Sequence, residues 1–197
     1  MPNLDRLRDF VMAATRATYR HGDDEPTLLN HIKPLLQDLV AYDDWLPDEY
    51  AVPDDRHFRQ YLLHADPLER LSIISFVWGP GQKTSIHDHL VWGAVGVLRG
   101  AETSTSYTRR SDGTLIAGAT EQFETGSVFA VSPMIGDIHK IANAFTDRSS
   151  VSIHVYGGNI GAMRRHAFDS ETGEKREFIS GYCNSTIPNL WDRSRAI

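Results

Sequence analysis

The chain has 197 residues, 41% of them hydrophobic, which is enough for one well-packed domain and short for two. A formal net charge of −6 leaves no basic footprint for a nucleic-acid backbone or an anionic membrane, so neither is expected as a partner. There is no apolar run of about 18 residues, the opening MPNLDRLRDF has no hydrophobic signal core, and the single cysteine, Cys183, excludes an internal disulfide, so a cytoplasmic location is expected.

Residues 3 to 20 place Leu4, Leu7, Phe10, Val11, Ala14 and Ala17 at helical spacing, with Gly22 as the stop. A second helix is expected from Thr27, as N-cap, to about Tyr42, with Pro34 kinking it or splitting it in two. Neither helix suggests chemistry. Asp43 to Pro53 reads as a connecting loop, and from about Phe58 the period changes. Short β-branched and aromatic runs, broken by Gly, Pro, Asp and Asn, predict strands at 59–64, 71–78, 84–89, 92–99, 103–109, 127–132, 137–143 and 149–156. So many strands without intervening helices argue for an antiparallel sandwich or barrel. The tail EKREFISGYCNSTIPNLWDRSRAI begins strand-like, and Trp191 is expected to pack near the barrel or on a neighbouring subunit. The reading is one domain: a helical segment 1–45, a barrel 55–180 and a tail 181–197, whose apolar surfaces permit a homo-oligomer.

The chemistry gathers in three stretches. His87 and His89 sit one residue apart, so on an extended strand both imidazoles point to one face while Asp88 points away. Gly81, five residues, His87-x-His89, three residues, Gly93, six residues and Gly100 resemble the first motif of the cupin superfamily, with Gly93 where many cupins carry a glutamate ligand. Gly126, Pro133, Gly136, His139 and Asn143 run as G-x6-P-x2-G-x2-H-x3-N, similar to the second cupin motif, which makes His139 the third ligand. The resemblance implies an all-β cupin jelly-roll (double-stranded β-helix) barrel behind N-terminal α-helices. Three imidazoles leave a metal's other positions open, and they suit iron, zinc, nickel and copper alike. With no carboxylate ligand the metal keeps its full positive charge, which favours an anion such as a thiolate. The third stretch is SVSIHVYGGNIG, where Ser152, His154 and Tyr156 share one strand face and Val151, Ile153 and Val155 the other, so a Ser to His to Tyr hydrogen-bond relay is possible.

Taken in order, HDHLVWGAVGVLRGAE, GDIHKIANAF, SVSIHVYGGNIGAMRR and ISGYCNSTIPNLWD resemble the thiol dioxygenases of the cysteine dioxygenase type, and among them the bacterial 3-mercaptopropionate dioxygenases. The resemblance covers nearly the whole chain. It implies a mononuclear non-haem Fe(II) on His87, His89 and His139, an outer-sphere set of Ser152, His154 and Tyr156, and a substrate-carboxylate partner at Arg165 in preference to Arg164. Gln60 matches the glutamine of the mercaptopropionate type, where the cysteine-specific mammalian enzymes use an arginine. Those enzymes also carry a cysteine–tyrosine crosslink, and with Gly93 and Ala94 in that region and Cys183 far along the chain none is expected here. The implied reaction takes a small mercapto-carboxylic acid, 3-mercaptopropionate first, and O2 to the sulfinic acid. Cysteine, cysteamine and mercaptosuccinate are alternative substrates. Another metal-dependent cupin enzyme or a non-catalytic cupin are the readings from other classes.

Overall fold

Two amphipathic helices open the chain. A computed structural model describes residues 4–192. In it α1 (Leu4–His21) buries Leu7, Phe10, Val11, Ala14 and Ala17, the stripe its sequence spacing predicts. Helix α2 (Glu25–Val40) is capped three residues before the expected N-cap, Thr27. Its N-cap is Asp24, whose carboxylate accepts from the Thr27 backbone N–H at 3.2 Å and from the Thr27 hydroxyl at 2.6 Å. Pro34 does not split it. The helix is continuous because Ile32, Leu36, Leu39 and Val40, on either side of the proline, are all buried, and this packing outweighs one lost backbone hydrogen bond.

After a connecting loop with one 3-10 turn (Asp48–Tyr50), the chain forms eleven strands among the described residues. They are β1 (Arg59–Ala65), β2 (Ser72–Trp78), β3 (Ile86–His87), β4 (Gly93–Arg99), β5 (Ala101–Arg109), β6 (Leu115–Glu124), β7 (Val128–Val131), β8 (His139–Asn143), β9 (Ser150–Tyr156), β10 (Arg165–Phe168) and β11 (Lys175–Phe178). All pair antiparallel, in a five-stranded sheet ordered β1-β2-β9-β4-β7 and a six-stranded sheet ordered β11-β10-β3-β8-β5-β6. The two face each other as a jelly roll of the cupin kind, behind the N-terminal helix pair.

The alternation of β2, β4 and β9 separates two apolar clusters. Ile73, Val77, Ala94, Leu98, Val151, Ile153 and Val155 face outward and pack with α1 and α2. Gly96 lets α2 approach β4, since a Cβ there would lie 2.9 Å from Leu36 and Val40. Ile74, Phe76, Trp78 and Tyr156 face inward and meet Ile141 of the opposite sheet.

Three strand expectations change. β3 contracts from 84–89 to two residues, because only Ile86 and His87 find ladder partners. β6 and β10 were not expected: β6 is almost wholly exposed and gains its place by pairing with β5, and β10 has four residues. In the tail, Leu190 is the residue packed into the helical core, while Trp191 is half exposed. Among the described residues no helix is long and apolar enough to cross a membrane.

Candidate active site

His87 ends β3 and stands directly opposite His139 of β8 in the ladder. His89 lies beyond the strand, so alternation is not what brings it in. A turn does, in which Leu90 takes a positive φ of 63° and the Asp137 carboxylate accepts the backbone N–H groups of His89 and Leu90 at 2.9 to 3.0 Å. The three rings form a near-equilateral triangle with centroids 4.8 to 4.9 Å apart, and one ligating atom from each lies within 4.8 Å of the others.

Each ring is oriented by its Nδ1. The partner is the Ser85 carbonyl at 3.0 Å for His87, Asp137 Oδ1 at 2.9 Å for His89 and the Ser104 hydroxyl at 3.2 Å for His139. Three Nε2 atoms are thereby left for a common ion, the arrangement in which partners behind a ligand fix its tautomer. Burial, reinforced by the neighbouring histidines, lowers the His87 pKa to about 3 and takes His139 well below its ordinary value, so both rings stay neutral, as metal ligation requires. For Asp137, burial pushes the carboxyl up, but the His89 ring and the two N–H donors outweigh it and hold the group ionised, below the usual range. This donor set fits a divalent first-row ion such as Fe(II), which His87, His89 and His139 would hold. Asp88 faces away, as expected. It accepts from the His166 backbone N–H at 2.8 Å and ring Nδ1 at 2.7 Å, tying β3 to the strand that carries Arg165.

The position of the glutamate ligand in other cupins is closed. A Cβ on Gly93 would come within 2.8 Å of the Tyr156 ring, so the tyrosine occupies the space a fourth protein ligand would need. Tyr156, His154 and Ser152 all face inward on β9. The Tyr156 hydroxyl is 2.8 Å from His154 Nδ1, His154 Nε2 is 2.8 Å from the Ser152 hydroxyl, and Trp78 Nε1 donates to that hydroxyl at 3.2 Å. Burial keeps His154 neutral and pushes the Tyr156 phenol above its ordinary pKa.

Beside the histidines lies a cavity of about 110 Å³, lined by Gln60, His87, Tyr156 and Arg165 and walled by Phe58 and Phe76. Arg165 is 5% exposed, its Nη2 donates to Ser180 at 2.9 Å, and its guanidinium lies 4.7 Å from the centroid of the Phe178 ring. Its Nε has no partner, and among the described residues no carboxylate forms an ion pair with it. Burial lowers its pKa, yet a guanidinium does not lose its proton in a protein. Arg164 is left out of the cavity, on the surface with a 2.9 Å ion pair to Glu177. Gln60 is buried, and its amide donates to the Gly181 carbonyl.

Sequence reasoning missed Asp137, Ser104, Ser180 and a buried acid, Glu102. Asp137 stands two residues before His139 within the second motif, which was a usable signal. The others acquire meaning only from what lies across the barrel.

A profile of the family described as Cysteine dioxygenase type I matches residues 39–170. Similar solved structures include an uncharacterized protein with a double-stranded β-helix domain from Klebsiella pneumoniae subsp. pneumoniae, 19% identical over 58% of this chain and 84% of that one, with a TM-score of 0.44. An RmlC-like cupin from Desulfovibrio desulfuricans is 20% identical over 59% and 97%, with a TM-score of 0.43. An oxalate oxidase in complex with glycolate is 15% identical over 62% of each chain, with a TM-score of 0.47. The stretch matched by the family profile contains the three histidines, Gln60, the β9 relay and Arg165, and stops short of Phe178 and Ser180. This cupin barrel with its three-histidine iron site therefore belongs to the cysteine dioxygenase type I family and has a thiol-dioxygenase type of catalysis.

Proposed function

We propose that the protein converts a small mercapto-carboxylic acid, 3-mercaptopropionate first, and O2 to the corresponding sulfinic acid. The observation that carries this reading is Arg165, a buried cation that forms no ion pair among the described residues, facing a small cavity beside the histidine cluster. A buried charge is held at a cost unless it is paired, and a substrate carboxylate supplies the pair. The guanidinium presents a fork that matches a carboxylate, and its Ser180 contact and the Phe178 ring hold it in one orientation.

Selection within the thiols follows from what else lines the cavity. None of the lining residues is a carboxylate. An amino acid such as cysteine would bring an ammonium close to Arg165 with no acid to compensate it, whereas a simple mercapto acid brings only the charge that Arg165 needs. Gln60 adds a neutral amide. The cavity, at about 110 Å³, has room for a three-carbon acid.

A ferrous ion on the three histidines supplies the oxygen chemistry and the binding point for sulfur. Arg165 fixes the other end of the substrate, Phe58 and Phe76 exclude water, and the Tyr156 hydroxyl, kept as a phenol by burial, stands ready to hold a proton at the cavity.

The test is oxygen uptake by the Fe(II)-loaded protein with 3-mercaptopropionate, cysteine, cysteamine and mercaptosuccinate at matched concentrations, with product identified by mass. The expected result is one sulfinate per O2 and the highest kcat/KM for 3-mercaptopropionate. A ranking led by cysteine would overturn the substrate assignment, and no uptake with any thiol would overturn the reaction.

A further inference from the structure

We propose that Glu102 is the terminal member of the β9 relay, a carboxylic acid whose proton sets the direction of the relay's hydrogen bonds and so decides whether Tyr156 turns a proton toward the cavity. The dioxygenase reading is needed only for the use made of that proton.

Glu102 is the second residue of β5 and is fully buried. Neither of its oxygens completes a hydrogen bond. The groups that face it are the Ser152 hydroxyl from β9 and the Trp78 indole N–H from β2. In register, β6 places Phe123 opposite it and β8 places Asn143, whose amide nitrogen is committed to the carbonyls of Trp78, Gly79 and Arg148. The titratable groups around it are His154 and Tyr156 on β9, reached through Ser152, and His139 on β8, held by Ser104 of β5. No cation among the described residues pairs with it. Burial pushes the carboxyl up to about 8, against the pull of Ser152 and Trp78.

Once the Glu102 carboxyl closes onto the Ser152 hydroxyl that it faces, counting donors and acceptors gives two self-consistent arrangements. With Glu102 protonated, its O–H donates to Ser152, Ser152 donates to His154 Nε2, and His154 Nδ1–H donates to the Tyr156 oxygen. The phenol proton is then free to point into the cavity. With Glu102 ionised, Ser152 donates to the carboxylate, His154 Nε2–H donates to Ser152, and Tyr156 donates to His154 Nδ1. The cavity then meets only a lone pair. Trp78 donates to Ser152 in both, and the serine's two acceptor positions and one proton are used in both. The two arrangements differ by one proton. When Tyr156 gives up its proton to the cavity, the Nδ1 proton moves to the phenol oxygen, the serine proton to Nε2 and the Glu102 proton to serine.

The test reads the His154 tautomer by nitrogen NMR of the full-length protein, isotopically labelled at histidine and loaded with diamagnetic Zn(II). The proton is expected on Nδ1 in mild acid and on Nε2 in alkali, with a changeover near pH 8. In Glu102→Gln, whose amide N–H donates to Ser152 at every pH, the proton stays on Nδ1 throughout. A wild-type tautomer that does not change, or one that changes identically in Glu102→Gln, overturns the proposal. In parallel, the alkaline limb of kcat for thiol-dependent oxygen uptake is expected near pH 8 in the wild type and absent in Glu102→Gln, with KM changed less than about twofold. Retention of the limb in the variant overturns the proposal as well. The tautomer changeover without any oxygen uptake would sustain the relay and sink the dioxygenase reading, so the two failures are distinguishable.

Discussion

Arg164 and Arg165 are neighbours of the same charge with different surroundings, and the difference is legible in physical terms. Adjacent residues on a strand point to opposite faces, so at most one of the pair turns inward. Which one depends on the register of β10 against β3, where Ala167 stands opposite His87. No feature of the sequence fixes that register, because β10 is too short to show a periodic pattern. Arg165→Ala is expected to reduce kcat/KM for the mercapto acid by about ten- to a hundredfold through KM, the loss of a charged hydrogen-bonded contact of roughly 1.5–3 kcal/mol. Iron content is expected to stay unchanged. Arg164→Ala, which loses only an exposed ion pair, is expected to leave both within about twofold. Steady-state kinetics on the two variants, with iron measured by metal analysis, checks the assignment, and a larger effect from Arg164 would reverse it.

At the scale of elements, the sequence patterns were reliable where burial alternates and unreliable where a strand is held by its neighbours. β9 reads correctly because its polar and apolar faces differ at every step, the one toward the cavity and the other toward the helices. β6 offers no such contrast, and the β3 stretch owes its shape to a turn braced from another strand. Asp137, just before β8, fixes that turn through two backbone N–H groups and orients the His89 ring through a third contact. Asp137→Asn keeps the size but loses the charge, and is expected to weaken iron binding by about ten- to a hundredfold while the fold persists. Equilibrium metal titration followed by circular dichroism separates these effects. Unchanged affinity would show that the turn holds itself.

For the whole molecule, the barrel carries a buried acid that the fold must keep neutral. The Glu102 carboxyl is raised from an ordinary 4.5 to about 8, so folding takes up a proton between these values. The sign follows: its contribution is most favourable below about pH 4.5 and is lost as pH rises through about 8, at roughly 1.4 kcal/mol per pH unit within the window. Replacing it with glutamine is expected to remove that slope, so that melting curves of Glu102→Gln and wild type diverge between mildly acidic and mildly alkaline pH, with the variant relatively more stable in alkali. Parallel curves would place the carboxyl in a wetter setting than the structure gives it. Nothing in the sequence marked Glu102, since a glutamate just before the start of an expected strand is ordinary until Ser152 and Trp78 are found against it.

The Ser180–Gly181 step contacts both polar arms of the cavity, the Arg165 guanidinium through the serine hydroxyl and the Gln60 amide through the glycine carbonyl. The same segment is pinned to β1 by Cys183 and Asn184 through the backbone of Gln60 and Leu62. The histidines, by contrast, are set by β3, β8 and the turn between β3 and β4. The histidine cluster and the polar arms of the cavity are thus braced by different parts of the polypeptide. Under the proposed function, changes in the C-terminal segment are expected to retune which thiol is accepted while leaving the three histidines in place, so that substrate choice and oxygen chemistry can vary independently.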